Sequence, residues 1–114
     1  MNQLISLIVP LFNEEKNILP LYERLKKIEE QVLKEGYEFE IIFINDGSTD
    51  KSAEIIESLV VAKTHQNVRS FEFLRNFGKE AATSCGLKEA RGKAAIMLDA
   101  DMQHPPELIP KFLE

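Results

Sequence analysis

Ile96-Met97-Leu98-Asp99-Ala100-Asp101-Met102-Gln103-His104-Pro105-Pro106-Glu107 carries an apolar run straight into two carboxylates one residue apart, then into a proline pair that a central strand cannot accommodate. A buried strand delivering Asp-x-Asp at its carboxyl end is how an open α/β sheet presents a ligand site. Two acids this close repel each other, so holding both ionised calls for a cation, and hard carboxylate oxygens suit Mg²⁺ or Mn²⁺. By itself the motif is as short as many solvated acidic turns. Its meaning depends on what the rest of the chain brings beside it.

Working outward, the same grammar recurs three times upstream. Leu4 to Val9 is a short apolar run with β-branched residues, closed by Pro10, and reads as a strand buried on both faces. From Ile18 the apolar residues fall at Leu21, Tyr22, Leu25, Ile28, Val32 and Leu33, a helical spacing. Asn17 is placed to cap that helix, Pro20 falls in its first turn, and Gly36 ends it. Phe39 to Ile44 is a second strand after Glu40, running into Asn45-Asp46-Gly47-Ser48-Thr49-Asp50, a turn with several helix caps. Ala53, Ile56, Leu59 and Val60 mark the next helix. Val68 to Leu74 is a third strand, followed by the basic loop Arg75-Asn76-Phe77-Gly78-Lys79. A helix carrying the small residues Ala81, Ala82, Cys85 and Gly86 comes next, with Gly92 at its close, and Ala94 to Leu98 is the fourth strand. Pro105-Pro106-Glu107 opens a last helix.

Strands alternating with helices in this way predict an α/β fold, a parallel sheet of about four strands with helices on both faces. Every strand then ends on one edge, and that edge collects the loops containing Glu14, Asp46, Arg75, Lys79, Asp99 and Asp101. A divalent cation on the Asp pair, with two basic residues nearby, suits a diphosphate. Arg75 offers a planar fork and Lys79 a point charge. Glu14 and Asp46 repel phosphate but accept hydrogen bonds from a base or sugar, which points to a nucleotide. Each has a plainer reading: Glu14 as an acid near a helix start, Asp46 as a turn former, Arg75 and Lys79 as a solvated loop. Neither G-x-x-x-x-G-K-[ST] nor G-x-G-x-x-G is present. His104 is a loop residue close to the acids, and His65 has no evident role.

The chain has 114 residues, 44% hydrophobic and 29% charged, enough for one globular unit. A net charge of −5 argues against a nucleic-acid binder. The single Cys85 excludes an internal disulfide and reads as a packed thiol. Apolar runs such as Ile41-Ile42-Phe43-Ile44 are far too short to cross a bilayer.

Together, Ile8-Val9-Pro10-Leu11-Phe12-Asn13-Glu14-Glu15, Asn45-Asp46-Gly47-Ser48-Thr49-Asp50 and Asp99-Ala100-Asp101 resemble the N-terminal half of family 2 glycosyltransferases with the Rossmann-like GT-A fold. Arg75-Asn76-Phe77-Gly78-Lys79-Glu80-Ala81-Ala82 and Asp99 through Glu107 are similar, more narrowly, to the bacterial polyprenyl-phosphate glycosyltransferases. The resemblance implies metal-dependent, inverting transfer of a hexose from a nucleotide-diphosphate sugar, a UDP-sugar first, to a polyprenyl phosphate at the cytoplasmic face of the membrane. It implies that Pro10, Phe12 and Glu14 line the base and ribose pocket, and that Asp46 binds the base. Arg75 and Lys79 would lie near phosphate. Asp99, Asp101 and Gln103 would organise diphosphate and Mg²⁺ or Mn²⁺, with Asp101 the direct ligand. Asn45 replaces an acid found in many relatives, and Phe12 a common tyrosine. A GT-A domain is about twice this length, near the ~200-residue upper range of a domain. Residues 1–114 are therefore expected to be its donor-binding part, inactive alone and prone to self-association through an uncovered sheet edge. A saccharide-elongating transferase and a non-catalytic nucleotide-binding module are the competing readings, and a receiver-like phosphoryl-transfer domain leaves the N-terminal motif unexplained.

Overall fold

A computed structural model describes residues 2–62 and 67–113 of the chain. His65 lies outside the described residues. The order is β1 (Gln3–Leu11), α1 (Ile18–Leu33), β2 (Tyr37–Asn45), α2 (Ser52–Ala62), β3 (Val68–Glu72), α3 (Lys79–Glu89) and β4 (Ala94–Met97). A 3₁₀ turn (Pro106–Leu108) then leads into α4 (Ile109–Phe112). The four strands form one sheet in the order β3-β2-β1-β4, and every pairing is parallel.

The unbroken apolar runs of β1 and β2 reflect burial on both faces. Ile5, Leu7, Val9 and Leu11, with Phe39, Ile41 and Phe43, pack against Leu21, Tyr22, Leu25 and Ile28 of α1, Ile56 and Leu59 of α2, and Ile109. The intervening residues Ile8, Ile42 and Ile44 face Ala82 of α3, with Phe71, Phe73 and Cys85 at the margin. The small residues of α3 serve this contact: a Cβ on Gly86 would stand 2.3 Å from Ile8 Cγ2.

The structure corrects five details of the sequence reading. Pro10 does not end β1: it pairs with Ile44, and the strand continues to Leu11. The carbonyls of Leu4 and Ile8 accept bonds from Lys93 and Leu98 on the β4 side, so Pro10, two residues on, turns its missing N–H past the end of β4, where no ladder bond is lost. Asn17 makes no side-chain cap, because its amide donates to Glu14 Oε1 at 2.7 Å. β3 stops at Glu72, and Leu74 is fully exposed. Helix α3 ends at Glu89, before Gly92. Finally, β4 is no buried strand. Among the described residues it pairs only with β1, and Ala94, Ala95 and Met97 are exposed.

One buried charge lies toward the amino ends of the strands. Glu40, only 3% exposed, points to the α3 side of the sheet among apolar neighbours. Its carboxylate accepts the Ser6 hydroxyl at 2.5 Å, the Arg91 amide at 2.7 Å and Arg69 Nη2 at 2.9 Å. The Gly92 amide donates to Ser6 Oγ at 2.8 Å, and a Cβ there would come within 2.6 Å of that oxygen, so the connection into β4 requires glycine. Glu40 thus ties β1, β3 and the α3–β4 connection together. Burial pushes its pKa up, but the bonds from Ser6, Arg91 and Arg69 outweigh it and hold the carboxyl below its ordinary value of 4.5. The folded chain therefore takes up this proton less readily than the unfolded chain. The stabilisation is complete above pH 4.5 and is lost as pH falls through the lowered folded value. Glu40→Gln takes the nearer carboxylate from Arg69, leaving it Glu89 Oε1 at 4.0 Å, and is expected to cost about 1–3 kcal/mol at pH 7. Urea titrations from pH 7 to pH 3 should show that loss, with a shallower acid dependence than the parent chain.

Candidate functional site

In-register pairing brings Leu11, Asn45 and Glu72 level at the carboxyl ends of their strands, with Met97 ending β4 on the same edge. Strand order reverses about β1: the chain steps outward from β1 to β3, then crosses back to β4. The crevice at such a reversal is where open α/β sheets bind ligands. A cleft of about 410 Å³ opens there. Its lining includes Pro10, Phe12, Glu14, Asp46, Lys79, Asp99, Asp101 and Gln103, all expected from the sequence. Leu11, Asn76, Gly78, Ala82 and Ala100 complete it. Arg75 does not line the cleft; it is exposed, with its guanidinium 4.9 Å from the centre of the Phe77 ring. His104 is an exposed loop residue.

The first two loops are locked together. Asn13 adopts φ 53, a left-handed conformation that asparagine tolerates. Its Oδ1 accepts the Thr49 amide at 2.8 Å and the Asp50 amide at 3.3 Å, while its own amide donates to Ser48 Oγ at 2.9 Å. The Glu14 amide donates to Ser52 Oγ at 3.1 Å, and the Glu15 amide to Asp50 Oδ2 at 3.2 Å. Glu14 sits before α1 rather than in its first turn, and its carboxylate is steadied by Asn17. Sequence reading passed over Asn13 as a functional residue; the only local signal is an asparagine directly after a strand.

Asp46 holds the third loop. It is 4% exposed, and its two oxygens accept the Phe77 amide at 2.8 Å and the Gly78 amide at 3.0 Å. Asn76 Nδ2 donates back to the Asp46 carbonyl at 3.3 Å. Gly47, at φ 72, lets the two loops touch, since a Cβ there would lie 2.3 Å from the Arg75 carbonyl carbon. Gly78 then starts α3, so the Asp46 clamp also fixes where Lys79 emerges.

Lys79 reaches across the cleft to Asp99, Nζ to Oδ1 at 2.7 Å. That hydrogen bond and the Asp99 charge raise the Lys79 pKa, so the cation persists well above neutral pH. Between the acids, Ala100 is 2% exposed and packs into the core, so the motif is anchored at its centre while Asp101 stands exposed. Asp101 Oδ1 accepts only a long bond from the Gln103 amide, 3.3 Å. Among the described residues, no group of three or more His, Cys, Asp or Glu is gathered for a metal. Two carboxylates one residue apart still fit Mg²⁺, which commonly takes only one or two protein acids. One cleft thus gathers Phe12, the acids Glu14 and Asp46, Lys79 and the Asp99–Asp101 pair.

The family model for "Glycosyl transferase family 2" matches residues 6–114. The chain belongs to that family. It is 47% identical over 110 residues to the bactoprenol glucosyl transferase of Shigella phage SfX, covering 96% of this chain and 34% of that protein. It is 46% identical over 110 residues to the prophage bactoprenol glucosyl transferase homolog of Escherichia coli K12, again 96% and 34%. Family 2 chain and curated relatives thus align over about a third of the relatives' length. Among solved structures, S. aureus TarS 1-349 in complex with UDP superposes with a TM-score of 0.68 at 29% identity, over 89% of this chain and 28% of that one. The α/β architecture is that of GT-A glycosyltransferases. Among the described residues, no helix is long and apolar enough to cross a membrane.

Removing the Asp46 carboxylate leaves two part-buried amides without an acceptor. Asp46→Ala is therefore expected to lower stability by about 1–3 kcal/mol. Amide exchange at Phe77 and Gly78 should accelerate while that of β1 stays slow; equal protection in both variants would show that the clamp holds nothing.

Proposed function

We propose that this chain is the donor-binding part of a polyprenyl-phosphate glycosyltransferase, using a UDP-sugar and inverting the anomeric centre. The observation that carries the reading is the single cleft uniting Phe12, Glu14 and Asp46 with Lys79, Asp99 and Asp101. Two relatives named for bactoprenol, a polyprenol, support the acceptor, and the fold shared with a UDP complex supports the nucleotide.

In this reading Phe12 stacks on the base, with Pro10 beside it, and Glu14 accepts from a ribose hydroxyl. Asp46 has both oxygens on amides, and the remaining lone pairs of that carboxylate accept from a base N–H. Lys79 faces the diphosphate and shifts part of its charge from Asp99 to the phosphate oxygens. Arg75, outside the cleft but next to Asn76, is free to meet the acceptor phosphate. Asp101, with Asp99, would hold Mg²⁺ or Mn²⁺, and the ion when bound neutralises charge on the diphosphate. In the transfer, an acceptor phosphate oxygen forms a bond to the anomeric carbon as the bond from that carbon to the nucleoside diphosphate breaks. Lys79 stabilises the charge that accumulates on the leaving diphosphate. A phosphate acceptor is already ionised near neutral pH, so the attack needs no strong general base.

Titration calorimetry of the chain with UDP and with GDP, each with Mn²⁺ or EDTA, tests this. UDP should bind more tightly with Mn²⁺, and Asp101→Ala should abolish the metal-dependent gain, a loss of about tenfold or more in affinity, equivalent to ~1.4 kcal/mol. A folded chain that binds neither nucleotide would sink the proposal, and a preference for GDP would replace uridine by guanosine in it.

A further inference from the structure

The loop that carries Asp101 is bent in a way its own residues do not favour. Met102 has φ 59, in the left-handed region where a residue with a Cβ persists only if its surroundings hold it. Inside the loop the Met102 amide donates to the Asp99 carbonyl at 3.0 Å, and the Gln103 amide makes its 3.3 Å bond to Asp101. Further hold comes from the core, against which Met102 packs beside the buried Ala100, and from outside the loop, from Arg24 on α1. Its guanidinium forks onto Glu107, with Nε 2.8 Å from Oε2 and Nη2 on Oε1. Its third nitrogen, Nη1, lies 3.0 Å from Met102 Sδ. One rigid planar group therefore grips the loop at the residue between Asp101 and Gln103, and again where the 3₁₀ turn begins. Pro106 and Ile109, both buried, seat the segment that follows.

The ion pair is 39% exposed on one side and 52% on the other. At that exposure it adds little to global stability. Its effect is geometric: a bidentate fork fixes direction as well as distance, which an ammonium does not. The hydrogen bond to Glu107 raises the Arg24 pKa, and the same bond lowers that of Glu107, so both stay ionised through the neutral range.

We propose that Arg24 is a positioning residue of this site: by holding Met102 and Glu107 it sets where Asp101 and Gln103 stand, without itself touching a ligand. The consequence for ligand binding rests on the reading of Asp101 as the metal-and-diphosphate acid. The effect on the loop does not.

Hydrogen exchange on the 114-residue chain, comparing the parent with Arg24→Ala and Arg24→Lys, decides the matter. Exchange at Met102 and Gln103 should rise about tenfold in Arg24→Ala, the signature of a local rather than global opening. Amides of β1 and β2 should stay as they are. Arg24→Lys keeps the charge but loses the fork, and should recover only part of the protection. It also serves should the alanine variant fail to fold. In parallel, Arg24→Ala should weaken UDP binding in Mn²⁺ several-fold and leave binding in EDTA unchanged. Unchanged exchange at Met102 and Gln103 overturns the proposal, and so does acceleration spread equally over β1 and β2, which would make Arg24 a general stabiliser. If the parent chain binds no UDP, the donor-site reading falls, and the exchange data still decide whether Arg24 places the loop.

Discussion

Parallel pairing of β1 with β2 is the constraint on which the molecule depends. Nine successive residues pair, from Gln3 with Tyr37 to Leu11 with Asn45. Parallel strands require a crossover, and α1 supplies it while burying six side chains in the core. Because β3 and β4 are parallel to this pair, all strands finish on one edge, and chemistry-bearing loops have nowhere else to go. The order β3-β2-β1-β4 adds the crevice. Had β4 joined beyond β3 instead, Asp99 and Asp101 would end three strand positions away from Glu14, with β2 and β3 between them.

Across the sheet, carboxylates do three different things according to where they are held. Glu40 is buried and saturated with donors, and its task is to join strands. Asp46 is buried too, but its donors are the amides of a loop, so it transmits the position of β2 to the start of α3. Asp101 is left exposed, with one long bond from the Gln103 amide among the described residues. The same functional group reads as scaffold, brace or binding group according to how much of its hydrogen-bonding capacity the protein has already used.

What the sequence makes legible follows from what is local. The helical spacing of Ile18 through Leu33 and the runs of β1 and β2 are short-range patterns, and the structure carries them. The alternation of elements put the loops of Glu14, Asp46, Lys79, Asp99 and Asp101 on one edge, the family resemblance added Pro10, Phe12 and Gln103, and all eight line the cleft. What stayed hidden is long-range. Ala94 to Met97 reads identically as a buried or an edge strand, since four small or apolar residues carry no alternation to tell the two apart. Asn17 suits a cap by type, but Glu14 reached it first. Gly92 looks like a helix terminator, whereas it is needed where the chain brushes Ser6, 86 residues away. Arg75 belonged to a basic loop, yet the ring of Phe77 draws it aside from the cleft.

The place of β4 beside the first strand has a consequence for the order in which the protein can come into being. A chain made from its amino end has β1, β2 and β3 available early, and those three strands already share most of the core. The partner for the other side of β1 follows only after β3 and α3, and Asp99 and Asp101 come directly behind it. Until then Ile5 to Ile8 present unpaired backbone along one side. The cleft is thus built in two instalments: the wall of Phe12, Glu14 and Asp46 first, and the wall of Lys79, Asp99 and Asp101 only after β3 has been added. A growing chain therefore cannot assemble the whole cleft until β4 has paired with β1.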